Sequence, residues 1–235
     1  TMVDVGWHSV VHPLTRRYMY DEDRHLKLEK YLEDFDKSHK LSVDWDMVHP
    51  DLMTINPNGK LESEQLEDLV NSAYLYAVDH LEKSGVTRER IRLSCATISY
   101  IIHKKLELVG IKSTLTTGDY YFVDSYMYET TEKYLSEMLK DPSGHWRFHV
   151  WLTLENGVLI DATRMIYHEK ELFLRKQING EPLICHLSEL PPALSYKPMI
   201  LGDKYLKKVE ALTMNRNSFC YCLSEKRFKH CCGRV

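Results

Sequence analysis

The sequence predicts an α+β protein in which helices from the N-terminal half pack on one side of an antiparallel sheet. Two segments, residues 61–85 and 95–108, carry apolar residues at three- and four-residue spacing, which indicates helices with one buried face. Two apolar segments, 146–154 and 157–163, then flank Asn156 and Gly157. Asn-Gly is the strongest short hairpin signal, so these segments are predicted to be paired strands.

The elements before the hairpin follow from local patterns. Residues 21–37 are predicted to form an amphipathic helix, and residues 48–60, with two prolines and an Asn-Gly, a loop. The helix over 61–85 is expected to stop near Gly85. The next helix begins at Cys95, and Gly110 ends it.

A strand rich in β-forming residues follows over 111–124, and a partly helical insertion over 124–144 separates it from the hairpin. Beyond about residue 182 the chain is predicted to be irregular, because residues 181–198 contain four of the eight prolines. The predicted domains are therefore 1–190, a linker over 191–216, and a small unit over 217–235.

Charge is distributed unevenly along the chain. Residues 203–235 hold eight basic and three acidic residues and so carry +5, which leaves −8 for the rest of a chain whose net charge is −3. A basic tail on an acidic body indicates contact with a nucleic acid or an acidic protein, or simply a solvated end. No apolar run is long enough to span a bilayer and no signal-peptide pattern opens the sequence, so a cytoplasmic protein without a membrane partner is expected.

Four of the six cysteines lie within the last sixteen residues. Crowding of this kind favours a metal site over a disulfide framework. Two cysteine pairs, Cys220 with Cys222 and Cys231 with Cys232, are separated by a short basic loop, and four such thiolates suit tetrahedral zinc. His230 is the alternative ligand.

This segment, with its Cys-x-Cys, its eight-residue gap, its terminal Cys-Cys and its basic-aromatic centre at 226–229, resembles the SEC-C motif. That motif is the zinc knuckle at the end of the bacterial preprotein-translocase ATPase and of many other bacterial proteins. The resemblance covers residues 219–233 and implies a structural zinc held by Cys220, Cys222, Cys231 and Cys232. A site with four thiolates leaves no open position for water and is not catalytic.

A second set of residues has the composition of a thiol active site. A cysteine attacks as its thiolate, an imidazole takes the proton, and a carboxylate orients the imidazole. Cys95 opens a helix after Ser94, a candidate cap, while His149 and Asp161 lie on the two strands of the hairpin, nearly opposite each other. The histidines at 103, 145 and 168 have no comparable partners, although His145 is close enough in sequence to compete with His149.

Residues 90–165 resemble the transglutaminase-like (papain-like) cysteine enzymes, in which a cysteine helix, a strand, a His-x-Trp strand and an Asp strand follow in this order. The resemblance implies that Cys95 is the nucleophile, His149 the general base and then acid, and Asp161 the orienting group. An oxyanion hole is expected from the Cys95 backbone N–H and an upstream donor, for which Gln65, Asn71 and Tyr76 are candidates.

Two functions follow from these patterns. The first is a thiol-dependent acyl-transfer enzyme, of peptidase or deamidase type, that acts on a peptide or side-chain amide and uses the zinc knuckle to dock a partner. The alternative is a catalytically inactive binding protein whose knuckle docks a protein or a nucleic acid.

Overall fold

The computed structural model describes residues 13–59, 63–91, 94–122, 125–142, 145–163, 182–192, 194–212, 216–217, 220, 224 and 226–231. Its helices are α1 (Pro13–Asp44), α2 (Ser63–Lys83), α3 (Arg88–Ile91), α4 (Cys95–Leu108), α5 (Glu132–Lys140) and α6 (Asp203–Lys208). Its strands are β1 (Ser113–Phe122), β2 (Ser125–Tyr126), β3 (His149–Leu154), β4 (Val158–Asp161), β5 (Leu183–His186) and β6 (Leu194–Leu201). The chain is therefore of the mixed α+β class.

All strand pairs of the described chain are antiparallel, and β1 is at the centre of the sheet. Thr116 of β1 pairs with Trp151 of β3 and also with Leu201 of β6, so β3 and β6 lie on opposite edges of β1. From β3 the sheet continues through β4 to β5, while β2 pairs only with the end of β1.

The β3–β4 hairpin turns at the Asn-Gly predicted from sequence. Gly157 has a φ of 79°, which glycine adopts without steric cost, and its N–H donates to the Leu154 carbonyl. The Asn156 side chain accepts a hydrogen bond from the Val158 N–H at 3.3 Å. The turn fixes the register, in which Leu152 pairs with Ile160.

Helices cover both faces of the sheet, not one as predicted. On one face α2 and α4 pack against the even-numbered residues of β3 and β4, among them Val150 and Ile160. On the other face Tyr31 and Phe35 of α1 pack against Trp151. Side chains alternate between the faces of a strand, and because helices cover both faces every residue of β3 is buried.

The predicted linker over 191–216, and the irregular chain expected from about 182, are wrong for residues that form β5, β6 and α6. β6 pairs with β1 along most of its length, and Tyr205 and Leu206 of α6 are fully buried. Proline disfavours strands because it lacks an N–H, but Pro198 lies where the β1–β6 register shifts by one residue. Such an irregularity in the ladder accommodates a residue without a donor.

Candidate active site

His149 and Asp161 form a hydrogen bond beneath the surface of the protein. The distance from His149 Nε2 to Asp161 Oδ2 is 2.8 Å, and both side chains have no exposed surface. In the observed register Asp161 stands opposite Trp151, two residues from His149, so the two side chains share one face as diagonal neighbours. A carboxylate only accepts, so Nε2 carries the hydrogen and Nδ1 is the nitrogen left for chemistry.

The Asp161 carboxylate accepts two further hydrogen bonds. Tyr196 of β6 donates its hydroxyl to Oδ2 at 2.7 Å, and the Thr163 N–H donates to Oδ1 at 3.1 Å. Each donor stabilises the ionised carboxylate, which would otherwise be unfavourable for a side chain with no exposed surface.

Aromatic rings enclose the His149 imidazole. The ring of Tyr120 lies 5.0 Å away, and those of Tyr128 and Trp151 stack on it at 6.4 Å and 6.1 Å between ring centres. The Trp151 indole N–H donates to the Tyr31 hydroxyl of α1 at 2.9 Å, which locks the indole. The imidazole is therefore held in one orientation by packing as well as by Asp161.

Cys95 stands at the first position of α4 and is 8% exposed. One turn later, the Ser99 hydroxyl donates to the Val150 carbonyl at 3.1 Å, which ties this end of α4 to the start of β3. Ser94 occupies the N-cap position, but it makes no side-chain cap, and its hydroxyl donates instead to the Arg90 carbonyl. The expected capping by Ser94 is therefore wrong.

The electrostatics of His149 depend on both neighbours. Burial lowers its pKa, but the charge and the hydrogen bond of Asp161, together with the nearby Cys95 thiol, outweigh burial and raise the pKa to about 10. Nδ1 has no well-formed hydrogen bond to any described residue. Cys95 therefore lies close enough to the imidazole to affect its pKa. At neutral pH this arrangement favours the imidazolium, which stabilises a neighbouring thiolate.

The insertion over 124–144 is held by hydrogen bonds to the segment that leads into His149. The Tyr134 hydroxyl donates to the His145 carbonyl at 2.5 Å and accepts from the Arg147 N–H at 2.9 Å. The Thr130 hydroxyl donates to the Arg147 carbonyl at 2.6 Å.

The start of this insertion wraps around the buried carboxylate of Asp119, which is 1% exposed. Asp119 Oδ1 accepts from the N–H groups of Tyr120 and Tyr128 at 2.8 Å and 3.1 Å, and Oδ2 accepts from the Thr130 N–H at 3.0 Å. Glu129, between two of the donors, has a φ of 53°. The carboxylate thereby fixes the loop that carries Tyr128 onto His149.

Competing candidates from the sequence lie elsewhere. His145 is exposed, and His103 bonds to Ser113 at 2.9 Å. Gln65 lines a groove with Val109, at the end of α4 opposite Cys95, and is not positioned as an oxyanion donor for it. His168 lies outside the described residues, and nothing in the described chain selects Asn71 or Tyr76.

Sequence reasoning missed Tyr196, because it lies in the segment predicted to be a linker. The available signal was the alternation of apolar and polar residues from Leu194 to Lys197, a strand pattern interrupted by Pro198. Asp119 was missed as well, since nothing in the sequence marks an aspartate that accepts from the N–H groups of Tyr128 and Thr130 as well as that of Tyr120.

The C-terminal segment folds back on itself where it is described. The Cys220 N–H donates to the Lys226 carbonyl at 2.7 Å, and the Lys229 N–H donates to the Arg216 carbonyl at 3.0 Å. Cys220 is buried and Cys231 is half-buried, while the predicted ligands Cys222 and Cys232 lie outside the described residues. Among the described residues no three His, Cys, Asp or Glu side chains form a group that would hold a metal.

Comparisons with known proteins return no relatives: no protein-family model, no curated protein and no solved structure matches the chain significantly. Among the described residues, no helix combines the length and the apolar character needed to cross a membrane.

Proposed function

We propose that the protein is a thiol-dependent acyl-transfer enzyme that hydrolyses a peptide bond or a side-chain amide. The observation that carries this proposal is the buried His149–Asp161 pair, with Nε2 bonded to the carboxylate and Cys95 beside the imidazole. A nucleophile, a base and an orienting group in this order are the minimum for activating a thiol.

The chemistry assigns one role to each side chain. The Cys95 thiolate attacks the amide carbon and forms a C–S bond, and the C–N bond breaks as the protonated His149 gives its proton to the leaving amine. Water then attacks the thioester carbon while His149 takes its proton, and the C–S bond breaks, which releases the acid and restores the Cys95 thiolate beside the imidazolium. The charge of Asp161 stabilises the imidazolium form of His149 throughout.

The burial of the three side chains indicates the direction from which a substrate reaches the site. His149 and Asp161 are fully enclosed, while Cys95 retains a small exposed surface at the start of α4. The carbonyl oxygen of a substrate attacked by Cys95 would therefore approach the first N–H groups of that helix. Those groups are not taken up by the Ser94 side chain and are oriented to stabilise negative charge.

Alkylation of Cys95 by iodoacetamide tests the thiolate–imidazolium pair without any substrate. Because the pKa of His149 is raised from the ordinary value of 6.5 to about 10, its imidazole stays protonated at pH values at which an ordinary histidine is neutral. We therefore expect fast alkylation at about pH 6, where an ordinary thiol with a pKa of about 8.5 is almost wholly protonated. Peptide mapping by mass spectrometry measures the rate at Cys95 separately from the tail cysteines.

Hydrolysis is then assayed on unfolded casein by counting new amino termini and deamidated side chains. Activity that disappears in Cys95→Ser and after alkylation supports the proposal, and Cys185→Ser is the matched control. Cys185 is half-buried on strand β5, where it pairs with Leu159 of β4. Hydrolysis that persists in Cys95→Ser contradicts the mechanism.

We further propose that the C-terminal segment binds one structural zinc through Cys220, Cys222, Cys231 and Cys232. The fold-back at Cys220 and the half-buried Cys231 fit the approach of the two cysteine pairs. We expect about one zinc ion per chain, lost in Cys220→Ser and in Cys231→Ser but retained in Cys185→Ser. Elemental analysis of purified protein measures this, and equal zinc in all four proteins contradicts the assignment.

The alternative function is a binding protein without catalysis, and the exposed Lys226 and Arg227 in the tail favour it. Two results together would support this alternative. The protein would show no Cys95-dependent hydrolysis, and its affinity for a single-stranded RNA would fall steeply as the salt concentration rises. Binding that is insensitive to salt instead points to a protein partner.

A further inference from the structure

Tyr196 stands directly behind the His149–Asp161 pair. Its hydroxyl donates to Asp161 Oδ2 at 2.7 Å, and this is the same oxygen that bonds to His149 Nε2 at 2.8 Å. The Tyr196 side chain is 4% exposed, so water does not substitute for this donor in the folded protein.

The surrounding sheet holds the Tyr196 ring in place. Tyr196 pairs with Tyr120 across the β1–β6 ladder, and their rings lie 5.8 Å apart. The Trp151 ring lies 5.0 Å from the Tyr196 ring. Two of the three rings that enclose His149 therefore also contact the tyrosine that bonds to Asp161.

We propose that Tyr196 is a positioning residue of this site, which keeps the Asp161 carboxylate ionised and directed at His149 Nε2. The inference rests on the proposed thiol-dependent function and adds to it a residue outside the predicted triad. It assigns a role to β6, a strand that pairs with β1 and not with β3 or β4.

The physical reason is the cost of a charged pair without solvent. A carboxylate and an imidazolium that are both fully buried revert to a neutral pair unless hydrogen bonds stabilise the charges. Tyr196 and the Thr163 N–H supply those bonds to Asp161. Without the Tyr196 hydroxyl, the neutral form of the Asp161–His149 pair becomes more stable relative to the ionic form. The Cys95 thiolate then loses the positive charge beside it.

The ionisable side chains around the His149 imidazole come from several elements, and each is a possible source of a pH effect. They are Cys95 of α4, Tyr120 of β1, Tyr128 after β2, Asp161 of β4 and Tyr196 of β6. The Tyr196 hydroxyl donates to the carboxylate that orients the base.

The test compares Tyr196→Phe with Tyr205→Phe by the pH dependence of Cys95 alkylation with iodoacetamide. Tyr205 is an equally buried tyrosine, but its hydroxyl donates to the Leu135 carbonyl at 3.1 Å, away from the triad. Both variants lose one buried hydroxyl, so a merely structural role affects both alike. We expect alkylation at about pH 6 to slow roughly tenfold in Tyr196→Phe, because a hydrogen bond to a charged group is lost. The pH at which the alkylation rate of Tyr196→Phe reaches half its maximum moves upward, while the pH profile of Tyr205→Phe matches that of the wild type.

The outcomes separate the two proposals. If wild-type Cys95 has no reactivity above that of an ordinary thiol at about pH 6, the proposed function fails. If the wild type is reactive but the pH profiles of Tyr196→Phe and Tyr205→Phe coincide, or if the Tyr196→Phe midpoint moves downward, the role of Tyr196 is overturned and the triad stands. Circular dichroism of both variants checks that the protein is folded.

Discussion

Asp161→Asn is expected to lower Cys95-dependent hydrolysis by roughly a thousandfold, on the order of the loss that the same replacement causes in a Ser-His-Asp triad. Three donors converge on Asp161, from His149, Tyr196 and Thr163. An asparagine side chain has one acceptor oxygen, so its amide group must face at least one of these donors. The main cause of the raised His149 pKa disappears while burial, which lowers it, remains.

The measurement is the His149 pKa by NMR titration of the imidazole, together with the alkylation rate of Cys95. Asp51→Asn is the control, because the Asp51 side chain is exposed and its ionic contact is with His49. A folded Asp161→Asn protein with wild-type reactivity would rule out the orienting role.

The stability of Asp161→Asn should also differ from wild type in its pH dependence. In the wild type the folded state binds the His149 proton more tightly than the unfolded chain, because the folded pKa is raised from 6.5 to about 10. This contribution to the free energy of unfolding is complete below the unfolded value and is lost as the pH rises through the folded value. The free energy of unfolding of Asp161→Asn should therefore not decline in this way above neutral pH.

Asp119→Ala is expected to lower the free energy of unfolding by about 3–5 kcal/mol, a value at the upper end for single substitutions. The N–H groups of Tyr120, Tyr128 and Thr130 would lose their acceptor together. Each buried donor without a partner carries the cost of its desolvation. Urea unfolding followed by circular dichroism measures the change.

Asp119→Asn is the matched control for this prediction. Its remaining oxygen can take the place of Oδ1 and accept from Tyr120 and Tyr128, so that only the Thr130 donor loses its partner. We expect the free energy of unfolding of Asp119→Asn to lie between those of the wild type and Asp119→Ala. An Asp119→Ala protein within about 1 kcal/mol of the wild type would show that the loop does not depend on this carboxylate.

Much of the architecture around the site was predictable, because it depends on local patterns. The helix expected over 95–108 is α4 with the same bounds, since the apolar spacing and Gly110 mark both its face and its end. The hairpin was predictable from Asn156 and Gly157, and its register follows from the turn. Position 161 therefore shares a face with position 149, and the expected contact between the two is present.

The same local reasoning failed from about residue 182 onward. The prolines there argue against strands, yet β6 forms because Pro198 lies at an irregularity of the ladder and β1 supplies a partner more than seventy residues earlier in the chain. The side assigned to the helices was wrong for a similar reason. The apolar pattern of a helix indicates that it buries a face, but not which face of the sheet it covers.

The sequence by itself determined where the main helices and the hairpin lie, and that Cys95, His149 and Asp161 follow in the order of a thiol triad. Only the tertiary structure decided that Asp161 bonds to Tyr196 and that Asp119 binds the loop carrying Tyr128. These contacts join residues nine to thirty-five positions apart. Spacing within a helix or strand reports only on near neighbours, while long-range hydrogen bonds depend on how the strands pair and stack.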